Sequence, residues 1–176
     1  MSDLSYAASL IRTIPDWPTP GITFKDVTPL LSDAKAMKTV VQAIAELGKD
    51  VDVIVGIEAR GFILASAVAN ELNKGFVPIR KKGKLPYKTY EQEYGLEYGS
   101  GTLEIHIDAI KPGQKVLLID DVLATGGTLV AAIKLLNRAG AEVTTVAVLL
   151  EIESLDGRAR LLSEFPKLNI HSLIKG

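Results

Sequence analysis

Cysteine is absent from this 176-residue chain, and histidine occurs only as His106 and His171. No disulfide framework or thiolate nucleophile is available, zinc sites built on several imidazoles are excluded, and acid–base chemistry must rest on carboxylates. No run of apolar residues approaches the ~18 that cross a bilayer. The opening stretch MSDLSYAASLIRT lacks the basic start and unbroken apolar core of a secretory signal. Excess charge of one sign is missing too: 20 Lys plus Arg against 21 Asp plus Glu leave a formal net charge of −1, which speaks against a dedicated nucleic-acid binder. What remains is a compact chain of one domain, residues 1–176, long enough to bury about two-thirds of its unfolded surface. The expectation is a cytoplasmic protein with neither a membrane nor a nucleic acid as partner.

Leu4, Ala7, Ala8, Ile11 and Ile14 recur at helical spacing, and Pro15, Pro18, Pro20 and Gly21 then impose a stiff loop. A second helix is predicted after Ser32 or Asp33 as N-cap, carrying Met37, Val40, Val41, Ile44, Ala45 and Leu47 on one stripe and stopping at Gly48. Val51 to Ile57 reads as a short β-branched strand, Phe62 to about Leu72 as a helix and Phe76 to Ile79 as another strand. Lys115–Asp121, Thr128–Ala139 and Val143–Leu150 repeat the strand–helix–strand pattern. The strands lack in/out alternation, which predicts a central, mainly parallel sheet covered by helices on both faces, an α/β fold. Residues 81–102 are rich in Lys, Tyr, Glu and Gly and too long for an ordinary connection, so they are expected to form a projecting, flexible lid or hairpin. Leu103, Ile105 and Ile107 then alternate with polar residues, as in a strand with one wet face.

The densest chemical signal is Val116-Leu-Leu-Ile-Asp120-Asp121-Val-Leu-Ala124-Thr125-Gly126-Gly127-Thr128. An apolar strand delivers two carboxylates to its C-terminal tip, where open parallel sheets bind ligands. The following turn offers unhindered N–H groups and two hydroxyls at the positive end of a helix, a cradle for phosphate. It is neither a Walker loop nor a dinucleotide fingerprint, since no Lys follows the glycines and G-x-G-x-x-G is absent. Adjacent acids repel a bare phosphate, so Asp120 and Asp121 must face vicinal hydroxyls or a divalent cation. A ribose 5-phosphate satisfies both halves.

On these residues the chain resembles the type I phosphoribosyltransferases, whose motif for 5-phosphoribosyl 1-diphosphate (PRPP) is an apolar strand, two acids and a Thr-Gly-Gly-Thr type loop. Pro18–Asp26, Arg60-Gly-Phe62, Arg80–Pro86 and Leu96–Gly99 narrow the resemblance to the adenine-specific family, over about residues 10 to 160. The resemblance implies the type I phosphoribosyltransferase fold with an N-terminal hood over about residues 1–30 and the lid at about 81–102. It implies an enzyme of purine salvage that moves phosphoribose from PRPP to N9 of adenine, giving AMP and pyrophosphate, and that works as a cytoplasmic homodimer with Mg2+. An enzyme for xanthine or hypoxanthine and guanine, a nucleotide-binding regulator and a binding protein without catalysis are the other readings.

Residue roles follow from the same resemblance. Asp120, Asp121, Ala124, Thr125, Gly126, Gly127 and Thr128 would hold the ribose and 5-phosphate. Ala59, Arg60, Arg80, Lys81 and Lys84 would contact pyrophosphate, with Lys84 reaching a neighbouring subunit. Five cations between Arg80 and Lys88 supply counter-charge for that leaving group. Phe24 would stack on the base while the backbone of Thr23 and Lys25 reads its edge; Lys25 stands where the family often has Arg, and Thr23 where an aliphatic is frequent. Glu97 would handle a proton on the purine ring, or is a surface acid near Glu91 and Glu93. No protein metal ligand is named, since Mg2+ would arrive on PRPP and keep its waters.

Overall fold

A computed structural model describes residues 3–96 and 99–176. The central sheet has seven strands. In chain order these are β3 (Val53–Ile57), β4 (Gly75–Lys81), β5 (Thr89–Leu96), β6 (Gly99–His106), β7 (Lys115–Leu123), β8 (Glu142–Glu151) and β9 (Asn169–Lys175). Their spatial order is β5-β6-β4-β3-β7-β8-β9. The run from β4 to β9 through β3, β7 and β8 is parallel, and β6 joins β4 antiparallel. Helices α3 (Ala34–Leu47) and α4 (Arg60–Glu71) cover one face, α5 (Gly127–Arg138) the other, and α6 (Gly157–Glu164) follows β8.

The uninterrupted apolar strands are explained by this double cover. Val53, Val55, Val116, Leu118, Val146 and Val148 pack with Leu129, Ala132 and Leu136 of α5. Their neighbours Ile54, Leu117, Ile119, Ala147 and Leu149 pack with Val40 and Ile44 of α3 and Leu64 and Val68 of α4. Successive residues of a strand point to opposite faces, so both sets must be apolar. Asp33 caps α3 by accepting from the Ala36 amide at 2.8 Å, as its sequence position predicts.

Four segments depart from the sequence reading. The first helix, α1 (Asp3–Ser9), ends early, and Arg12–Ile14 forms strand β1 paired antiparallel with β2 (Phe24–Asp26). Long-range pairing there overrides the helical spacing of Ile11 and Ile14. A short helix, α2 (Thr28–Ser32), precedes α3, and β9 was not foreseen. The expected hairpin exists as β5–β6, yet it does not simply project: β6 is bonded into the sheet through Arg80 opposite Glu104 and Lys81 opposite Leu103. Tyr90 and Tyr94 of β5 pack onto the α5 side of the core, and the Arg138 guanidinium lies 5.2 Å from the Tyr90 ring centroid.

Candidate active site

The C-terminal ends of β3 and β7, the starts of α4 and α5, the β1–β2 hood and the segment after β8 enclose a cleft of about 1060 Å³. Strand order places it where ligands bind in open α/β sheets. Phe24, Arg60, Asp120, Asp121, Thr125 and Thr128 all line it.

Two helices point their N-termini at the cleft. Neither α4 nor α5 has a side chain capping its first turn, so their leading N–H groups retain the partial positive charge that attracts anions. The cap of α5 is Gly126 in the left-handed region, φ 78°, a conformation that suits glycine. At the other helix, Gly61 leaves no room for a Cβ: one would lie 2.9 Å from Asp120 Oδ1. That close approach carries Arg60 to the tip of β7. Its Nε lies 2.6 Å from Asp121 Oδ2, and its guanidinium lies 5.3 Å from the Phe24 ring centroid. Trp17 in turn meets Phe24 edge-on at 4.3 Å.

Both strand-tip acids are buried. Burial, then the neighbouring Asp121 charge, pushes the Asp120 carboxyl well above the usual carboxylate range. Arg60, in contact with Asp121, sets a counter-charge against the pair. A buried acid pair beside an anion cradle is tolerable on those terms, and its oxygens are suited to receive hydroxyl donors.

The remaining predicted residues divide into three groups. Thr23, Phe24, Lys25, Ala59, Arg60, Lys81, Ala124, Thr125, Gly127 and Thr128 line the cleft with the two acids. Arg80, Lys84 and Gly126 are not among its lining residues. Arg80 forks onto Glu58, Nε to Oε2 at 3.0 Å and Nη2 to Oε1 at 3.3 Å, and also donates to the Lys84 carbonyl. Burial would raise the Glu58 carboxyl, but the Arg80 fork, the Lys81 amide and the nearby cations outweigh it and hold it below its ordinary value. Buried Glu104 accepts from the amides of Lys84 and Leu85 at 2.8 and 2.7 Å, fixing the basic turn from beneath. Glu97 lies outside the described residues.

Sequence reasoning missed Tyr94, Ile152, Ser154 and Leu155 as lining residues. Burial, and then the Asp120 charge, keep the Tyr94 hydroxyl pKa raised, against a smaller lowering effect of Thr128. No local pattern marks these positions; they reach the cleft only through the packing of β5 on α5 and the return of the chain after β8. Among the described residues no group of three or more acids, histidines or cysteines could hold a metal.

Residues 29–171 match the model of the phosphoribosyl transferase domain. The adenine phosphoribosyltransferase of Parvibaculum lavamentivorans is 58% identical over 153 residues, 86% of this chain and 87% of that protein. Among solved structures, the adenine phosphoribosyltransferase of Rhodothermus marinus shares 47% identity at a TM-score of 0.91, covering 99% of each chain. The APRTase of Giardia lamblia, complexed with 9-deazaadenine, shares 42% at a TM-score of 0.93, covering 100% of this chain and 99% of that one.

Proposed function

The chain belongs to the phosphoribosyltransferases, and on that premise we propose that the cleft holds PRPP and adenine side by side. The protein transfers the phosphoribosyl group of PRPP to adenine, giving AMP and pyrophosphate, a pentosyl transfer of purine salvage. One observation carries the assignment of this chemistry to the cleft. An uncapped helix start, a buried acid pair and the aromatic Phe24 line a single cavity, which supports phosphate, sugar and base lying side by side there.

Under this reading the amides and hydroxyls of residues 124–128 hold the 5-phosphate, and Asp120 and Asp121 accept from the ribose hydroxyls. Ala59 and the start of α4, with Arg60 and Lys81, face the pyrophosphate. Negative charge grows on that group as its bond to C1 breaks, so preplaced cations lower the barrier. The sugar carbon becomes cationic in the same step, as in glycoside chemistry, and a carboxylate holding the ribose hydroxyls favours that charge. Phe24 stacks on the adenine ring, with the backbone of Thr23 and Lys25 along its edge. Glu97 holds a proton at the purine, which shifts electron density toward the attacking nitrogen.

Mg2+ fits this site as a companion of PRPP. The acids lining the cleft, Glu58, Asp120 and Asp121, are hard oxygen donors, and Mg2+ keeps substrate phosphates and waters as its main ligands. When bound it supplies counter-charge to the pyrophosphate. Asp120 and Asp121 would reach it through the ribose hydroxyls or water.

A homodimer is supported by Lys84. Its backbone is pinned by Glu104 and Arg80 while its side chain does not line this cleft, an arrangement suited to serving a second subunit. The chain acts as one unit, with residues 1–30 as hood and 81–102 as lid, in the cytoplasm; no described helix is long and apolar enough to cross a membrane.

The test is to incubate purified protein with PRPP, Mg2+ and each purine in turn. AMP should form from adenine, and replacing Asp120 and Asp121 with Asn should abolish turnover while the circular dichroism spectrum stays unchanged. Consumption of another purine with no AMP from adenine would overturn the base assignment. Full turnover by the Asn variant would remove the acids from the site.

A further inference from the structure

We infer that the ion pair between Glu151 and Arg158 is a positioning device for the phosphate-binding turn, so that it sets affinity for the 5-phosphate of PRPP without touching it. The inference rests on residues 124–128 being the 5-phosphate cradle.

Glu151 is the last residue of β8 and is buried. Its carboxylate accepts from Arg158 Nε at 2.9 Å, from Arg158 Nη2 at 2.6 Å and from Ser172 Oγ at 2.6 Å. The same guanidinium donates from Nη1 to the Ile170 carbonyl at 3.0 Å and from Nη2 to Ser172 Oγ at 2.9 Å. One side chain of α6 is therefore bonded at once to the tip of β8 and to two residues of β9. Those bonds hold the Glu151 carboxyl below its ordinary value despite burial.

Arg158 is the second residue of α6, and the first, Gly157, touches the phosphate turn directly. A Cβ on Gly157 would collide with the Ala124 carbonyl and come within 2.9 Å of the Gly126 amide nitrogen and 2.7 Å of Leu123 Cδ1. Conversely, a Cβ on Gly126 would lie 2.8 Å from the Gly157 carbonyl oxygen. One turn further on, Arg160 Nη1 donates to the Thr125 carbonyl at 3.4 Å. The outer wall of the turn is thus the backbone of the first turn of α6, and the rotation of that turn is set by the Glu151–Arg158 fork.

The chemistry of the pair fits positioning better than stabilisation. A buried ion pair is often no more stabilising than apolar side chains of similar volume, because desolvation offsets the attraction. A bidentate fork adds direction, which apolar contacts do not supply. Amides that must converge on a phosphate need such support, since a displacement near 1 Å costs up to about 10²-fold in rate or affinity.

The discriminating variant is the double substitution Glu151→Leu with Arg158→Met, which removes both charges and keeps volume. It should fold, by circular dichroism and thermal melting, yet raise KM for PRPP about tenfold. The dissociation constant for ribose 5-phosphate should rise in parallel, with kcat and the adenine KM within about twofold of wild type. Arg158→Lys, which keeps the charge without the fork, should give an intermediate rise. A folded double variant with wild-type PRPP KM and ribose 5-phosphate affinity overturns the inference. Should the double variant not fold, Arg158→Lys and Ser172→Ala decide, and an unchanged PRPP KM in both overturns it equally. Failure of the cradle reading is separate: ribose 5-phosphate would then bind Gly126→Ala as tightly as wild type.

Discussion

Arg60 Nε lies 2.6 Å from Asp121 Oδ2 while the Arg60 guanidinium lies 5.3 Å from the centroid of the Phe24 ring. One cation thereby links the residue expected under the base to the acid expected beside the sugar. Arg60→Ala should lower kcat/KM for PRPP by about 10²–10³-fold, the usual cost of losing a donor that stabilises developing charge. It should also raise the adenine KM, because Phe24 loses the group that faces it. Lys81→Ala should raise only the PRPP KM. Steady-state kinetics with each substrate varied separately checks both, and an unchanged adenine KM in Arg60→Ala would show that the link to Phe24 carries no function.

Asp120 sets activity against stability. Its pKa is raised in the folded state by burial and by Asp121, so the native protein binds more protons than the unfolded chain above the ordinary carboxylate value of 3.8. Stability from this group therefore falls as pH rises through that window. Asp120→Asn should raise the melting temperature at pH 7, and the gain should vanish as pH falls toward 3.8. Glu151 has the opposite sign: its pKa is lowered by Arg158, so its contribution is present above 4.5 and is lost as pH falls through the lowered value. Thermal melts across pH for wild type and Asp120→Asn measure the difference, and a variant less stable at pH 7 would contradict it.

Phe24, which lines the cleft, is the proposed stacking platform for adenine. Phe24→Ala should raise the adenine KM by roughly 10- to 100-fold, the range expected for one stacked base, with the PRPP KM changed less than about threefold. Phe24→Tyr should retain most of the affinity. Competition by AMP against both substrates separates a lost stacking contact from a collapsed hood.

Gly126 couples backbone conformation to the proposed phosphate cradle. With φ at 78° and the Gly157 carbonyl 2.8 Å from where a Cβ would sit, Gly126→Ala should cost about 1–2 kcal/mol in urea unfolding for the left-handed backbone alone. It should raise the PRPP KM by about tenfold or more, leaving the adenine KM near wild type.

The acid pair and the glycine turn after it were legible because Ile119 to Thr128 are consecutive: one strand ending and one helix beginning place all their groups within a single stretch of chain. Uninterrupted apolar strands such as Val53–Ile57 likewise announced a sheet covered on both faces, since each strand must satisfy two cores. Asp33 and Gly48 marked the ends of α3 through local hydrogen bonds, Asp33 accepting from the Ala36 amide and the Gly48 amide donating to the Ala45 carbonyl. The sequence by itself determined, then, those features whose physics is decided within a few residues.

Only the tertiary structure decided which distant groups meet. Nothing near Arg60 points to Asp121 or Phe24, and nothing near Gly157 points to Ala124; these contacts arise because β3 and β7 are neighbours and because α6 returns onto the turn. Arg12–Ile14 became a strand because β2 offered hydrogen-bond partners that helical spacing could not weigh. Tyr94 entered the cleft because β5 found an apolar surface on α5. Long-range pairing and burial gain their free energy from partners remote in the chain, so local pattern carries no record of which partner prevails.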